Sequence, residues 1–156
     1  MPDAPEVEVV IEIPRGSFLK RGPTGHVDFV SPLPCPCNYG SVPTLVGLEG
    51  DLLDAVVLGP RLAAGARVRV LAWGAISQMD RGMVDHKLVC AAGLPDEAQR
   101  LGVLRFFRFY AWSKGLLNVV RGRPGRNACD GWIPASEALA AAKPRDARWQ
   151  GSAVRF

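Results

Sequence analysis

No run of about eighteen apolar residues occurs in this 156-residue sequence, so no segment is long enough to cross a bilayer as a helix. The first eight residues lack the basic start and apolar centre of a secretory leader, which places the expected location in the cytoplasm. Histidine is scarce, with two residues, and the four cysteines offer one close pair, Cys35 and Cys37. Cys90 and Cys129 stand alone, so no second pair or nearby histidine completes a zinc set, and reduced, partly buried thiols are expected. Helices are expected to be few. With 17 Gly and 13 Pro the chain reads as short strands joined by tight turns.

What is present fits one domain over residues 1–156 with one core: 48% apolar and 22% charged residues. The net charge is +4, much of it late, in Arg121, Arg123, Arg126, Arg145, Arg148 and Arg155. Such scattered arginines read as a solvated face. Strands carrying aromatics interleaved with lysines are lacking, so nucleic acid is not an expected partner.

Val7, Val9, Ile11 and Ile13 alternate with Glu6, Glu8 and Glu12, which predicts a strand ending at Pro14. A short strand is expected over 27–30. The proline-rich stretch from Ser31 to Pro43 reads as an ordered loop or broken edge. Strands follow over 53–58, 67–76 and 86–91, with 77–85 expected to turn around Gly82. Pro95-Asp96-Glu97 has the chemistry of a helix start, and Val103, Phe107 and Tyr110 form one face of that helix, with Arg100, Arg105 and Arg108 on the wet side. A last helix is expected over 135–143. The sum is an α+β fold: a five-stranded OB-like barrel or curled sheet with two flanking helices.

The chemistry concentrates in Glu49-Gly50-Asp51-Leu52-Leu53-Asp54. Three carboxylates within six residues repel one another unless a cation lies between them. Asp54 sits among Leu52, Leu53, Ala55, Val56 and Val57, where an uncompensated acid costs several kcal/mol. A second pair, Asp80 and Asp85, ends another strand, and two neighbouring strands would bring all five acids into one mouth. Oxygen ligands without His or paired Cys favour Mg²⁺ or Mn²⁺. The plain alternative, aspartates capping turns, is strong for Asp80 beside Gly82 and weak for Asp54.

Read in order, VEVVIEIPRGSFLK, SPLPCPCNYGSVP, EGDLLDAVVLG and QMDRGMVDHKL resemble the successive blocks of soluble family I inorganic pyrophosphatases, from about Val7 to Leu88, with a weaker match through FFRFY. The resemblance implies hydrolysis of pyrophosphate to two phosphates by a water activated by divalent metal, Mg²⁺ with Mn²⁺ as the second candidate. It implies that Asp54 and Asp85 hold the water-activating metals, that Asp51 takes the proton of that water, and that Asp80 binds a metal arriving with substrate. Glu49 stands where the family has an aspartate ligand. Lys20, Lys87, Tyr39 and Tyr110 match groups that grip phosphate oxygens, and Glu12 an acid at the rim of the substrate site. A homo-hexamer is implied in the same way.

Departures are equally specific. Val27 replaces an expected arginine and Ala111 an expected lysine, Gly22 falls near a family glutamate, and Arg81 replaces an acid. Each missing charge-assisted bond is worth about 1.5–3 kcal/mol, so the resemblance leaves two outcomes. One is a pyrophosphatase, of low activity or directed to a related phosphoanhydride. The other is a weakened or inactive relative that binds phosphate compounds or a protein partner.

Overall fold

The computed structural model describes residues 4–17, 19–21, 27–30, 36–48, 52–80, 83–120 and 128–145. Their elements run β1 (Glu6–Ile13), β2 (Leu19–Arg21), β3 (Val27–Val30), β4 (Asn38–Val46), β5 (Leu52–Val57), β6 (Arg67–Asp80), β7 (Met83–Ala91), α1 (Glu97–Val120), β8 (Ala128–Ile133), α2 (Ala135–Ala141) and β9 (Lys143–Pro144). Five strands close on themselves in the order β1-β4-β5-β7-β6, and β1 pairs again with β6 to seal the ring. Every pairing in the ring is antiparallel except β5–β7. This is the expected five-stranded barrel with two helices. β8 extends the sheet beside β6, β9 adds to β4, and β2–β3 form a separate ribbon.

Period-two alternation divides the wall into two apolar clusters. Val9, Ile11, Val42, Leu53, Ala55, Ala72, Leu88 and Cys90, drawn from all five strands, pack together with Ala135 and Ala138 of α2. Ile13, Tyr39, Val56, Ile76 and Val89 lie on the other side, against Val103 and Phe107 of α1. α1 opens with a reciprocal cap: the Gln99 N–H donates to Asp96 Oδ1 at 2.7 Å, and the Asp96 N–H donates to Gln99 Oε1 at 3.0 Å. That is the start read from Pro95-Asp96-Glu97. Buried Gln78 on β6 donates to the Phe107 carbonyl at 3.3 Å and fastens the helix to the wall.

Several expectations are corrected. The stretch read as a loop to Pro43 is, from Asn38 onward, β4, a central strand paired on both sides. Pro43 is accommodated because the β4–β5 register shifts between Val42 and Val46. Residues 31–35, the start of that stretch, lie outside the described residues. The turn expected over 77–85 is mostly strand: β6 runs on to Asp80 and β7 begins at Met83. α2 ends at Ala141, and Lys143 and Pro144 pair with β4 instead of extending the helix. β8 was not expected at all. It docks because Trp132 lies on Gly74 where a Cβ would collide with the indole, while Arg100 stacks over its ring at 4.5 Å.

Asn38 knits this region together. Wholly buried, it accepts at Oδ1 from the Arg15 N–H (3.0 Å) and the Leu62 N–H (2.8 Å). Its Nδ2 donates to the carbonyls of Val57 (3.2 Å) and Pro60 (2.8 Å). One side chain therefore fixes the end of β1, the end of β5 and the loop after it.

Candidate active site

The site is assembled by three neighbouring strands and a helix. Tyr39 comes from β4, Asp54 from β5, Asp85 and Lys87 from β7, and Tyr110 from α1. Ser41 and Asp54 are Cα partners across β4–β5, and Asp54 and Lys87 are partners across the parallel β5–β7 pair. A strand sends residues two apart to one face, so Asp85 and Lys87 project together. That face is the one packed under α1.

At the centre stands Lys87. Its ammonium donates to Tyr39 Oη at 2.8 Å, Asp54 Oδ2 at 2.8 Å and Asp85 Oδ2 at 2.9 Å. An ammonium has three hydrogens, and three acceptors meet them. Its side chain is 5% exposed, against 16% for Asp54 and 8% for Asp85. The rings of Tyr39 and Phe107 lie 5.2 and 5.7 Å from the nitrogen. Burial is the largest influence on its pKa and lowers it, yet Asp54 and Asp85, then Tyr39 and Tyr110, outweigh that and hold it well above the ordinary lysine value. Lys87 is a permanent cation here. Tyr39 is pushed well above the ordinary phenol value, first by burial and next by Asp54, against the pull of Lys87, and so keeps its proton. Tyr110 is half-buried, its ring 6.3 Å from that of Phe107.

The surroundings are dry, with an alkaline consequence. Burial drives the Cys90 thiol from 9.0 to about 12. An unfolded chain ionises this thiol above its ordinary value while the folded chain does not, so the stability it contributes is complete below pH 9 and is lost as pH rises to about 12. Lys87, also raised, adds a loss that begins above 10.5. Denaturant melts are expected to give a flat midpoint from about pH 8 to pH 9, above the titration of His86, and a falling one beyond it. Cys90→Ala should flatten the first part of that fall; an unchanged slope would refute the assignment.

The remaining expected residues divide as follows. Glu12 on β1 is reached by the Ser41 hydroxyl, which donates to Glu12 Oε1 at 3.0 Å, and β4, which carries Ser41, separates Glu12 from Asp54 on β5. Lys20 belongs to β2 and Asp80 ends β6, with the backbone alone described. Glu49 and Asp51, with Gly22 and Arg81, lie outside the described residues. Among the described residues no set of three His, Cys, Asp or Glu side chains gathers as a metal cluster. Asp54 and Asp85 nonetheless fit a hard divalent ion: both carboxylates converge on one point charge, and the donors are all oxygen. Ala111, where the resemblance leads one to expect lysine, is buried. Ser41 and Gln78 were missed by sequence reading. Both are ordinary polar residues until their strands are paired, and neither carries a local signal.

Carboxylate oxygens beside a buried ammonium and two phenols line the side of the barrel covered by α1. A family model described as inorganic pyrophosphatase matches residues 9–101, more than half of the sequence. The chain belongs to the inorganic pyrophosphatase family. It is 32% identical over 97 residues to an inorganic pyrophosphatase of Gluconobacter oxydans, a match covering 54% of each chain. It is 39% identical over 101 residues to a soluble inorganic pyrophosphatase of Oryza sativa subsp. indica, covering 58% of this chain and 47% of that one. The chain thus spans about half the length of the curated relatives it matches. Among solved structures, the inorganic pyrophosphatase of Helicobacter pylori shares its fold with a TM-score of 0.70 at 23% identity, covering 90% of this chain and 91% of that one. That of Thermus thermophilus gives 0.69 at 26%, covering 87% and 86%. No helix among the described residues is long and apolar enough to cross a membrane.

Proposed function

We propose that this chain hydrolyses inorganic pyrophosphate, or a closely related phosphoanhydride, to phosphate. The observation that supports this most is Lys87, held as an ammonium by Asp54, Asp85 and Tyr39 on the side of the barrel covered by α1. Asp54 and Asp85 would hold Mg²⁺ or Mn²⁺, with Glu49 and Asp80 contributing as the family resemblance implies. Bound there, a divalent ion supplies charge neutralisation for the substrate and acidifies water.

The chain's own residues supply the rest. Lys87 offers a fixed positive charge, and one of its N–H groups can turn from Tyr39 to a phosphoryl oxygen without leaving the carboxylates. Tyr39, a protonated phenol, donates to a phosphate oxygen, and Tyr110 gives a second hydroxyl from α1. Lys20 adds a second point charge. Asp51 accepts the proton of the attacking water. Charge stabilisation of a transferring phosphoryl group needs little more than this positioning. Single-domain organisation, a cytoplasmic location and assembly of identical copies into a hexamer complete the reading.

Phosphate release from pyrophosphate, assayed with Mg²⁺ and with Mn²⁺, tests it. Asp54→Asn removes half of the carboxylate pair and is expected to lower kcat/KM by about a hundredfold or more. Wild type no faster than Asp54→Asn would overturn the enzymatic reading. Calorimetric binding of pyrophosphate without turnover would instead favour the weakened relative, which the buried Ala111 in place of a lysine suggests.

A further inference from the structure

β1 changes face at Glu12. Ile11 packs in the cluster shared with α2 and Ile13 in the cluster under α1, although residues two apart on a regular strand share a face. The pairing with β4 accounts for this. Ile11 is opposite Gly40 and Ile13 opposite Tyr39, so the register slips by one residue and Glu12 is the extra one. A bulge of this kind bends its strand and re-aims the side chains at the slip. Glu6 and Glu8 meet arginines at the surface, whereas Glu12 Oε1 receives the Ser41 hydroxyl at 3.0 Å and Glu12 Oε2 is buried.

Ser41 is well placed to hold an acid still. It is 5% exposed and stands inside β4, opposite Val10 on one side and Asp54 on the other. Directly opposed residues share a face, so Ser41, Asp54 and Lys87 form one row across three strands, with Tyr39 two residues from Ser41 on the same side. A glutamate has three side-chain bonds to immobilise, and a hydroxyl on a strand held from both sides does this before any ligand arrives. The bond is charge-assisted, roughly twice as strong as one between neutral groups. An acid beside a polyanionic substrate favours binding only through a cation that the two share. We infer that Ser41 is a positioning residue: with the slip in β1, its hydroxyl sets the Glu12 carboxylate toward the divalent cation carried in with the substrate. This rests on the site taking a phosphoanhydride with its metal, as proposed above, whether or not turnover follows.

Calorimetry with methylenediphosphonate, a pyrophosphate mimic that resists hydrolysis, in millimolar Mg²⁺ reads the grip without turnover. Ser41→Ala is expected to weaken binding about tenfold, the fold-change for one hydrogen bond to a charged group. Glu12→Ala should weaken it at least as much. Ser41→Ala added to Glu12→Ala should change it no further, because the hydroxyl acts only through the carboxylate. In pyrophosphate hydrolysis, Ser41→Ala should raise KM about tenfold at nearly constant kcat, the signature of lost uniform binding. A merely structural serine would lower the melting temperature and leave the Glu12→Ala background equally sensitive. Binding by Ser41→Ala within roughly twofold of wild type overturns the inference, as does an equal loss in both backgrounds. Wild type that binds the diphosphonate with the expected dependence on Ser41 and Glu12, yet releases no phosphate from pyrophosphate, overturns the hydrolase reading and upholds the inference. Turnover by wild type with a harmless Ser41→Ala overturns the inference alone. Neither binding nor turnover overturns both.

Discussion

Lys87→Met should cost about 3–5 kcal/mol of stability, the penalty for removing one partner of a buried ion pair and stranding the other. Here two carboxylates, Asp54 and Asp85, lose the ammonium that lies 2.8 and 2.9 Å from them, and both lie in a part of the wall with little access to water. Methionine fills much the same volume, so packing changes contribute little. For a domain of about this size the melting temperature should fall by roughly 10 °C. Two further readings separate charge from packing. Asp85→Asn in the Lys87→Met background should recover part of the loss, giving a non-additive double-mutant cycle. Millimolar Mg²⁺ should raise the melting temperature of Lys87→Met more than that of wild type, because the two carboxylates have lost the Lys87 ammonium. A variant as stable as wild type, with additive effects, would show that the ammonium does not balance this pair.

Asn38→Ala is expected to be nearly as damaging, at about 3–4 kcal/mol, for a different reason. No charge is involved. The side chain satisfies two backbone N–H groups and two carbonyls from three separate segments, and truncation leaves all four to find water. Each group buried without a partner costs about 1–3 kcal/mol, though the Arg15 and Pro60 ends lie near solvent and recover some of it. Asn38→Asp preserves the two acceptor bonds, loses both donors and places a charge where exposure is nil. Chemical denaturation should rank wild type first and both variants far below. Since Tyr39 is the next residue, phosphate release should fall with stability. A variant that keeps its midpoint within 1 kcal/mol, by the usual scale for surface changes, would refute the bracing role.

The comparison of sequence with structure turns on particular elements. β1 is legible because half of it faces the core and half faces water, and that asymmetry is written as alternating valine and glutamate. α1 is legible because Asp96 and Gln99 cap each other locally. β4 is not, because its reason for being a strand lies elsewhere: Gly40 lies so close to the Val10 carbonyl that any Cβ would collide. Its glycine and prolines suit a loop on local grounds and suit this strand only on tertiary ones. β8, with Gly131 at a φ of +110°, carries a turn-like signature and exists through Trp132 on Gly74.

By itself the sequence determined that acids are clustered near Asp54 in an apolar strand, that a second acid–lysine segment lies at 85–87, and that strands and two helices alternate as a barrel requires. These follow from local chemistry, in which each side chain is judged against its chain neighbours. Tertiary structure decided that Lys87, a surface lysine on local grounds, is buried as the cation between Asp54 and Asp85. It did so through the parallel pairing of β5 with β7, which joins segments 33 residues apart. A charge can be kept out of water only where its partners converge, and convergence is a property of the closed sheet.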